Sequence, residues 1–417
     1  MIEILKEWNP WWEKKELINE LKGKSRFLYK NLIDSVDIKE ITIIIGVRRS
    51  GKSTLMYQII DNLLNKIDPE QVLFVNLEDK KLKKLSLEEI YNYYKENLNP
   101  RKKAFIFLDE IHKKEGWESW IRKKYDLKTN DKFIISGSCS YLLKKEYSTL
   151  LTGRNLTFEV FPLSFKEYLL FEDISIKKIV LDRTKHKIIN YLRKYISLGG
   201  FPGIFFSPER YKINILEQYF DDILYKDIID RFNLNSQKAK DLALFLITNF
   251  TSLISLRNLR NSLGISYDTI KDYIYYFKEA FLFFNLEHFS YSFKEQKTLA
   301  SKIYCIDNGL RNAVSFKFSK DEGKLVENMV FIELMRRDKD VYYWKCKGEV
   351  DFIVKNNDQS LTAINVSYTD EIDEREIRGL LEFKKGFNKT KDLILITKDL
   401  EKKEKGINFI PLWRWLL

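Results

Sequence analysis

The stretch Gly46-Val47-Arg48-Arg49-Ser50-Gly51-Lys52-Ser53 follows the apolar run Ile41–Ile45 and leads into Ser53–Asn65, whose apolar residues recur at helical spacing. It fits GxxxxGK(S/T), the pattern of a phosphate-binding loop between a buried strand and a helix. Backbone N–H groups of such a loop, with the helix N-terminus behind them, cradle phosphates. The predicted nucleotide site is therefore Gly46, Val47, Arg48, Arg49, Ser50, Gly51, Lys52, Ser53 and Thr54, with ATP and Mg2+ as the expected ligands. Gly51 lets the backbone approach closely. Lys52 would reach the β and γ phosphates, and the Ser53 hydroxyl suits Mg2+, a hard ion that prefers oxygen. Arg48 and Arg49 have three open roles: phosphate, nucleic acid, or a carboxylate at the sheet edge.

Outward from the loop, β-like runs alternate with helical patterns. Strands are expected at Ile41–Ile45, Gln71–Asn76, Ala104–Leu108, Phe133–Ser136 and Leu156–Val160, and helices at Leu87–Asn97 and Trp117–Tyr125. This alternation predicts a parallel α/β sheet. Phe105-Ile106-Phe107-Leu108 delivers Asp109 and Glu110 to the C-terminal end of a central strand, where open α/β sheets bind ligands. Asp109 is assigned to Mg2+ through its water shell, and Glu110 to orienting and deprotonating the attacking water. A carboxylate directly after the Mg2+ aspartate argues for hydrolysis. A polar residue ending Ile134-Ile135-Ser136-Gly137-Ser138 would contact the γ-phosphate, Ser138 first and Ser136 second. Arg154, in Leu151-Thr152-Gly153-Arg154, is the candidate arginine finger, with action on a neighbouring subunit's ATP left open and a surface salt bridge as the alternative. The catalytic set is thus Glu110, Lys52, Arg154 and Ser138, with Ser53 and Asp109 on the metal.

The chain has 417 residues, enough for roughly three domains, with 72 Lys and Arg against 60 Asp and Glu, a net +12. It is too hydrophobic at 44% for a disordered chain, and its apolar runs fall far short of a membrane span. No signal-peptide pattern opens it, so the cytoplasm is the expected compartment. Three scattered cysteines and three scattered histidines exclude a disulfide framework and a zinc centre. Residues 101–155 carry 13 basic against 7 acidic residues, half of the net charge, and residues 301–417 carry 22 against 20. Clustered basic charge points to an anionic partner, with a solvated lysine-rich surface as the alternative.

Taken in order, Gly46–Thr54, Leu108-Asp109-Glu110, Ser136-Gly137-Ser138, Leu151-Thr152-Gly153-Arg154, Pro162-Leu163-Ser164-Phe165 and Gly199-Gly200-Phe201-Pro202 resemble the AAA-superfamily ATPases of archaea and bacteria. More narrowly, they are similar to the group whose ATPase is fused to a C-terminal domain of unknown function. The resemblance covers nearly the whole chain. It implies an ASCE-type P-loop core, a helical lid, a winged helix, and a C-terminal α/β domain similar to restriction-endonuclease-like (PD-(D/E)XK) folds. The expected division is N-terminal helices at 1–35, ATPase core at 36–161, lid at 162–235, winged helix at 236–300 and nuclease-like domain at 301–417.

The winged-helix reading also stands on the residues. Leu253–Leu263, Gly264-Ile265-Ser266 and Tyr267–Ala280 read as helix–turn–helix, with Ser266 as N-cap. Ile270, Ile274 and Phe277 form the expected buried stripe; Tyr267, Thr269 and Lys271 face outward. Phe281–Leu286 and the stretch to Ser292 are the expected wing. In the C-terminal domain, Glu327 and Asp351 match a nuclease site of the resembled fold. Its ExK pattern falls on Asn365 and Ser367, so the second metal carboxylate and the lysine are missing, and no nuclease activity is expected. The leading expectation is a Mg2+-dependent ATP hydrolase that binds structured or branched DNA, remodels it or moves along it, and assembles as a homo-oligomer such as a hexamer, without a membrane. The alternatives are an ATP/ADP switch acting on a protein partner and, last, an ATP-driven nuclease.

Overall fold

The computed structural model describes residues 1–99, 101–140, 151, 153–174, 178–315, 322–369 and 371–417. The chain forms two compact units, Met1–Val160 and Phe161–Leu417. No helix among the described residues is long and apolar enough to cross a membrane.

The first unit is built on five parallel strands: β1 (Ile41–Ile45), β2 (Val72–Asn76), β3 (Phe105–Asp109), β4 (Lys132–Gly137) and β5 (Asn155–Glu159), in the order β2-β3-β4-β1-β5. Each of the first four is an apolar run buried along most of its length, as a parallel sheet covered on both faces requires. Strand order places β4 between the P-loop strand and the Asp109 strand, so all three end side by side. The helix Lys52–Leu64 buries Leu55, Met56, Ile59, Ile60 and Leu63 on this sheet.

Residues 1–35 form no separate domain. Trp11, Ile18 and Leu32 share one core with Ile44, Leu55 and Phe74. The segment also closes the open edge of β2. The buried Asn9 side chain donates to Phe74 O at 2.8 Å and accepts from Phe74 N at 2.6 Å, and Trp12 Nε1 donates to Val72 O at 2.9 Å. An exposed edge strand is a template for wrong pairing, and this amide with its aromatic neighbours removes it.

In the second unit, the helical stretch expected after Pro162 is observed as helices at Phe165–Phe171 and Lys178–Leu198 and further helices between Pro202 and Phe232, with a π-helical turn at Ile223–Ile229. Three helices follow, Ser236–Thr248, Leu256–Leu263 and Tyr267–Glu279, and then a two-stranded antiparallel sheet. Ser266 caps the third helix by accepting from Thr269 N, and Ile270, Ile274 and Phe277 are buried. The sheet differs from expectation. β6 (Phe283–Leu286) pairs with β7 (Lys302–Cys305), not with a strand ending by Ser292. The pairing crosses the boundary expected at residue 300, because an edge formed by β6 is satisfied only after the intervening short helix Phe293–Thr298.

The C-terminal part carries a mixed six-stranded sheet of β8 (Asp340–Lys345), β9 (Glu349–Lys355), β10 (Leu361–Ser367), β11 (Thr390–Thr397), β12 (Lys402–Glu404) and β13 (Ile407–Pro411), in the order β12-β13-β11-β10-β9-β8. The helices Glu322–Arg336 and Glu374–Gly386 pack on it. The second of these, together with β12 and β13, was not anticipated from the sequence.

In the second unit Gly200 and Gly309 meet at one carboxylate, and Leu163 joins them through Gly200. Asp307 is buried and accepts from Gly200 N at 2.7 Å and Gly309 N at 2.8 Å. Burial pushes its pKa up to about 7, against those backbone hydrogen bonds. Leu163 N donates to Gly200 O at 2.7 Å, and Tyr195 Oη donates to Leu163 O at 2.6 Å. Gly199 has φ +72, and a Cβ there would lie 1.8 Å from Asp307 Oδ1. The Gly199-Gly200 and Pro162-Leu163 motifs are thus fixed by close backbone approach. Gly199→Ala is expected to lower stability by about 3 kcal/mol, since it adds a clash to positive-φ strain. Gly264→Ala has φ +64 but nothing within 4 Å of the new Cβ, and should cost about 1 kcal/mol. Urea unfolding of the two variants, followed by tryptophan fluorescence, checks the contrast.

Candidate active site

The P-loop geometry follows from its glycines. Gly46 leaves β1 with φ +148, and a Cβ would sit 2.2 Å from Val160 O. Gly51 has φ +97 and caps the helix that starts at Lys52. Both conformations disfavour a side chain. Lys52 is buried, and its Nζ donates to Gly46 O at 3.0 Å and Val47 O at 3.1 Å. It also lies 4.0 Å from Glu110 Oε1.

The Asp109 carboxylate is the centre of the site. Ser53 Oγ donates to Asp109 Oδ2 at 2.6 Å, and Ser136 Oγ donates to Asp109 Oδ1. Ser136 Oγ also accepts from Glu110 N at 3.2 Å. Burial raises the Asp109 pKa, the Glu110 charge adds to this, and the two serines and Lys52 oppose it. Two adjacent buried carboxylates with a serine hydroxyl beside them form an oxygen-rich, electron-rich set suited to a hard divalent cation. The residues therefore fit Mg2+ with Ser53 and Asp109 as its holders. Glu110 takes the left-handed conformation, φ +54, immediately after β3. Its Oε2 is buried and accepts no hydrogen bond among the described residues.

The two serines of β4 part company. Ser136 is engaged with the carboxylates. Ser138 Oγ is buried with no hydrogen-bond partner among the described residues, which leaves it able to meet a ligand atom. Arg154 stands elsewhere. Its carbonyl accepts from Ile41 N, which places it at the start of β1 and β5, the end of the sheet opposite the P-loop. Arg154 Nε binds Asp126 Oδ1 at 3.1 Å. A role on the nucleotide of its own chain is excluded by this placement. Thr152 of its motif lies outside the described residues.

Several contributors were not read from the sequence. Glu78, just beyond edge strand β2, receives both arms of Arg48, at 2.8 and 3.4 Å, and Lys113 at 3.5 Å. Burial raises the Glu78 pKa, but these cations outweigh it and hold the carboxyl down at about 2. Arg26 Nη1 donates to Ser50 O at 2.9 Å, so the N-terminal segment braces the loop. His112 Nδ1 lies 3.4 Å from Glu110 Oε2. None of these partners is near in sequence except His112.

The basic stretch 101–155 is thinner on the surface than in the sequence. Lys114 is buried on the carbonyls of Leu82, Lys83 and Leu85, Lys124 is buried on Glu88, and Lys132 is buried on those of Ile38 and Glu40. Burial lowers the Lys132 pKa to about 8.

In the C-terminal part the residues of the nuclease-like pattern do come together. Asn365 Oδ1 accepts from Asp351 N at 2.9 Å, and Asp351 Oδ2 accepts from Val366 N at 3.0 Å. Asn365 Nδ2 donates to Glu376 Oε2 at 2.9 Å. Ser367 stands where the lysine of the pattern would, and a lysine from outside the pattern enters the cluster. Lys302, from β7, reaches Glu327, Glu349 and Asp351.

Comparison with known proteins supplies the family context. The AAA domain family matches residues 38–169. Two domains of unknown function match residues 189–321 and 322–415. The uncharacterised protein MJ1544 of Methanocaldococcus jannaschii is 34% identical over 423 residues, covering 95% of this chain and 93% of its own. An uncharacterised protein of Haemophilus influenzae is 32% identical, covering 93% and 97%. Among solved structures, the Walker-type ATPase of Pyrococcus abyssi aligns over 69% of this chain and 94% of its own, with 15% identity and a TM-score of 0.44.

The serines are separable by experiment. Ser136→Ala removes a donor from Asp109, and the Mg2+ concentration for half-maximal hydrolysis should rise about tenfold with ATP binding retained. Ser138→Ala should lower turnover at an unchanged Mg2+ requirement. Mg2+ titrations of ATP hydrolysis distinguish the two.

Proposed function

The chain belongs to the same family as these archaeal and bacterial relatives and carries an AAA-type P-loop ATPase, and we propose that it hydrolyses Mg2+-bound ATP to act on structured or branched DNA as a homo-oligomer. The observation that carries the hydrolytic part is the convergence of Ser53, Ser136 and Glu110 on Asp109 behind the Lys52 loop. Mg2+ when bound supplies charge neutralisation across the β and γ phosphates. The chain's own parts are then assigned as follows. Loop N–H groups and Lys52 bind phosphate; Ser53 and Asp109 hold the cation. Glu110 Oε2 takes the proton of the attacking water, which hydrolysis requires. Ser138 reads the γ-phosphate. Arg154 serves the ATP of a neighbouring subunit, in keeping with its distance from its own P-loop.

The DNA part draws support from the pair of helices Leu256–Leu263 and Tyr267–Glu279, read as a winged helix with β6 and β7. Arg257, Arg260, Tyr267 and Lys271 are exposed there, and Arg260 stacks over the Tyr267 ring at 5.2 Å. Guanidinium from the first helix, with the phenol and ammonium at the N-terminal half of the second, suit phosphate and base-edge contacts. The mixed C-terminal sheet with its two helices is read as restriction-endonuclease-like, without nuclease activity.

ATP hydrolysis measured with single-stranded, duplex and four-way-junction DNA tests the proposal. DNA should raise kcat, most with the junction, and the effect should fall steeply with salt. Lys52→Ala should lower turnover about a hundredfold and weaken ATP binding. Glu110→Gln should retain ATP and stall. Arg260→Glu with Lys271→Glu should abolish the DNA response at unchanged DNA-free turnover. Turnover indifferent to all three DNAs would overturn the DNA reading and leave an ATP/ADP switch on a protein partner.

A further inference from the structure

Lys302 opens β7, and its side chain is 5% exposed. Its Nζ lies 3.1 Å from Glu349 Oε1, 3.3 Å from Glu327 Oε1 and 3.4 Å from Asp351 Oδ1. The remaining valences of the cluster are largely used. Tyr304 Oη donates to Glu327 Oε1 at 2.7 Å, Lys345 Nζ binds Glu349 Oε2 at 2.9 Å, and Asp351 Oδ2 takes Val366 N. These groups floor a cleft of about 570 Å³ whose wall includes Lys324, Lys347 and Arg378.

Three carboxylates from one helix and one strand turn toward a common point beside a cleft and carry the oxygens a hard cation prefers, but with Lys302 among them no group of three acids among the described residues is arranged to hold a metal ion. The point is taken by an ammonium that cannot leave, because it is tethered to a paired strand. We propose that Lys302 is the built-in substitute for a divalent cation in this cleft, and that it keeps metal ions out of the second unit. The position of the Lys302 charge does not depend on the ATPase reading; where the proposed lack of nuclease activity holds, the same charge supplies a physical reason for it.

The electrostatics agree. Burial alone would lower the Lys302 pKa, yet Glu327, Asp351 and Glu349 raise it well above the ordinary lysine value. Burial and the Asp351 charge hold Glu327 up at about 7, and burial with Asp351 does the same to Glu376 on the neighbouring helix. A single buried ammonium shared among three acids is strongly held, and removing it would leave uncompensated charge.

The test uses the full-length protein without nucleotide, carrying Asp109→Asn so that the P-loop site does not report. Mn2+ is titrated and its free concentration read by electron paramagnetic resonance. The parent is expected to retain no Mn2+ through Asp351. Lys302→Met should gain one Mn2+ per chain, and Lys302→Met with Asp351→Asn should lose it again. Thermal unfolding supplies a second readout. Lys302→Met should be less stable than the parent, and Mn2+ should restore it. The deficit should grow with pH. Without the ammonium the buried Glu327 carboxyl, facing the Asp351 charge and the Tyr304 hydroxyl, has a folded-state pKa raised further above its unfolded value. Stability from such a group is present at low pH and lost as pH rises through the folded pKa. Lys302→Arg should behave as the parent. If Lys302→Met does not fold alone, refolding in Mn2+ should recover it, and failure to do so counts against the proposal. Asp351-dependent Mn2+ binding with Lys302 in place would overturn it. So would Mn2+-dependent DNA cleavage abolished by Asp351→Asn, or a Lys302→Met variant that gains no Mn2+.

Discussion

A buried carboxylate must be satisfied where three parallel strands end side by side, and the first unit is organised around that constraint. Asp109 sits at the end of β3. Burial and the neighbouring Glu110 make its charged form costly, so its oxygens need donors. One comes from Ser53, at the start of the P-loop helix, and one from Ser136 on β4. The strand order is what makes this possible, since β4 stands between the Asp109 strand and the P-loop strand. Gly46 then allows the chain to pass against Val160 as it leaves β1. The phosphate loop, the Ser53 and Ser136 hydroxyls and Glu110 are therefore brought together by how one acid is hydrogen-bonded.

The second unit solves the same problem twice, with different means. Asp307 is neutralised by backbone N–H groups, which forces Gly199 and Gly200 to lie close against it. Glu327, Glu349 and Asp351 are neutralised by Lys302. In both cases an isolated buried acid would be expensive, and a partner distant in sequence removes the cost. The Gly199-Gly200-Phe201-Pro202 and Pro162-Leu163-Ser164-Phe165 motifs acquire a structural meaning here. They are packing and capping devices: Ser164 caps the helix Phe165–Phe171 in a reciprocal box with Glu167.

Much of the fold was legible because it is written locally. The strands β1 to β4 are apolar runs with turn residues around them, β5 alternates apolar and polar residues, and the observed limits of all five differ from the expected ones by a residue or so. The helix from Ser266 was legible for the same reason: a cap residue precedes an apolar stripe at helical spacing. The wing was misread because pairing is not local. β6 finds its partner 15 residues beyond its own end, past a short helix that interrupts the pattern. The helix Glu374–Gly386 and β12 are charged on much of their length, and only packing on the mixed sheet gives the helix its buried side; β13 (INFIP) is short and uncharged, and takes its place by pairing with β11.

The sequence by itself determined which groups stand at the phosphate loop. A glycine-rich loop, a lysine and a serine are contiguous, and two consecutive acids end a buried strand, so local order and spacing make them legible. The tertiary structure alone decided which charges meet. Arg48 chooses Glu78, Arg154 lies at the far end of the sheet from its own P-loop, and three lysines of the basic stretch turn inward. Lys302 enters a cluster whose members lie 25 to 49 residues away. Coulombic partners are set by distance in space, and neither periodicity nor motif spacing encodes that distance.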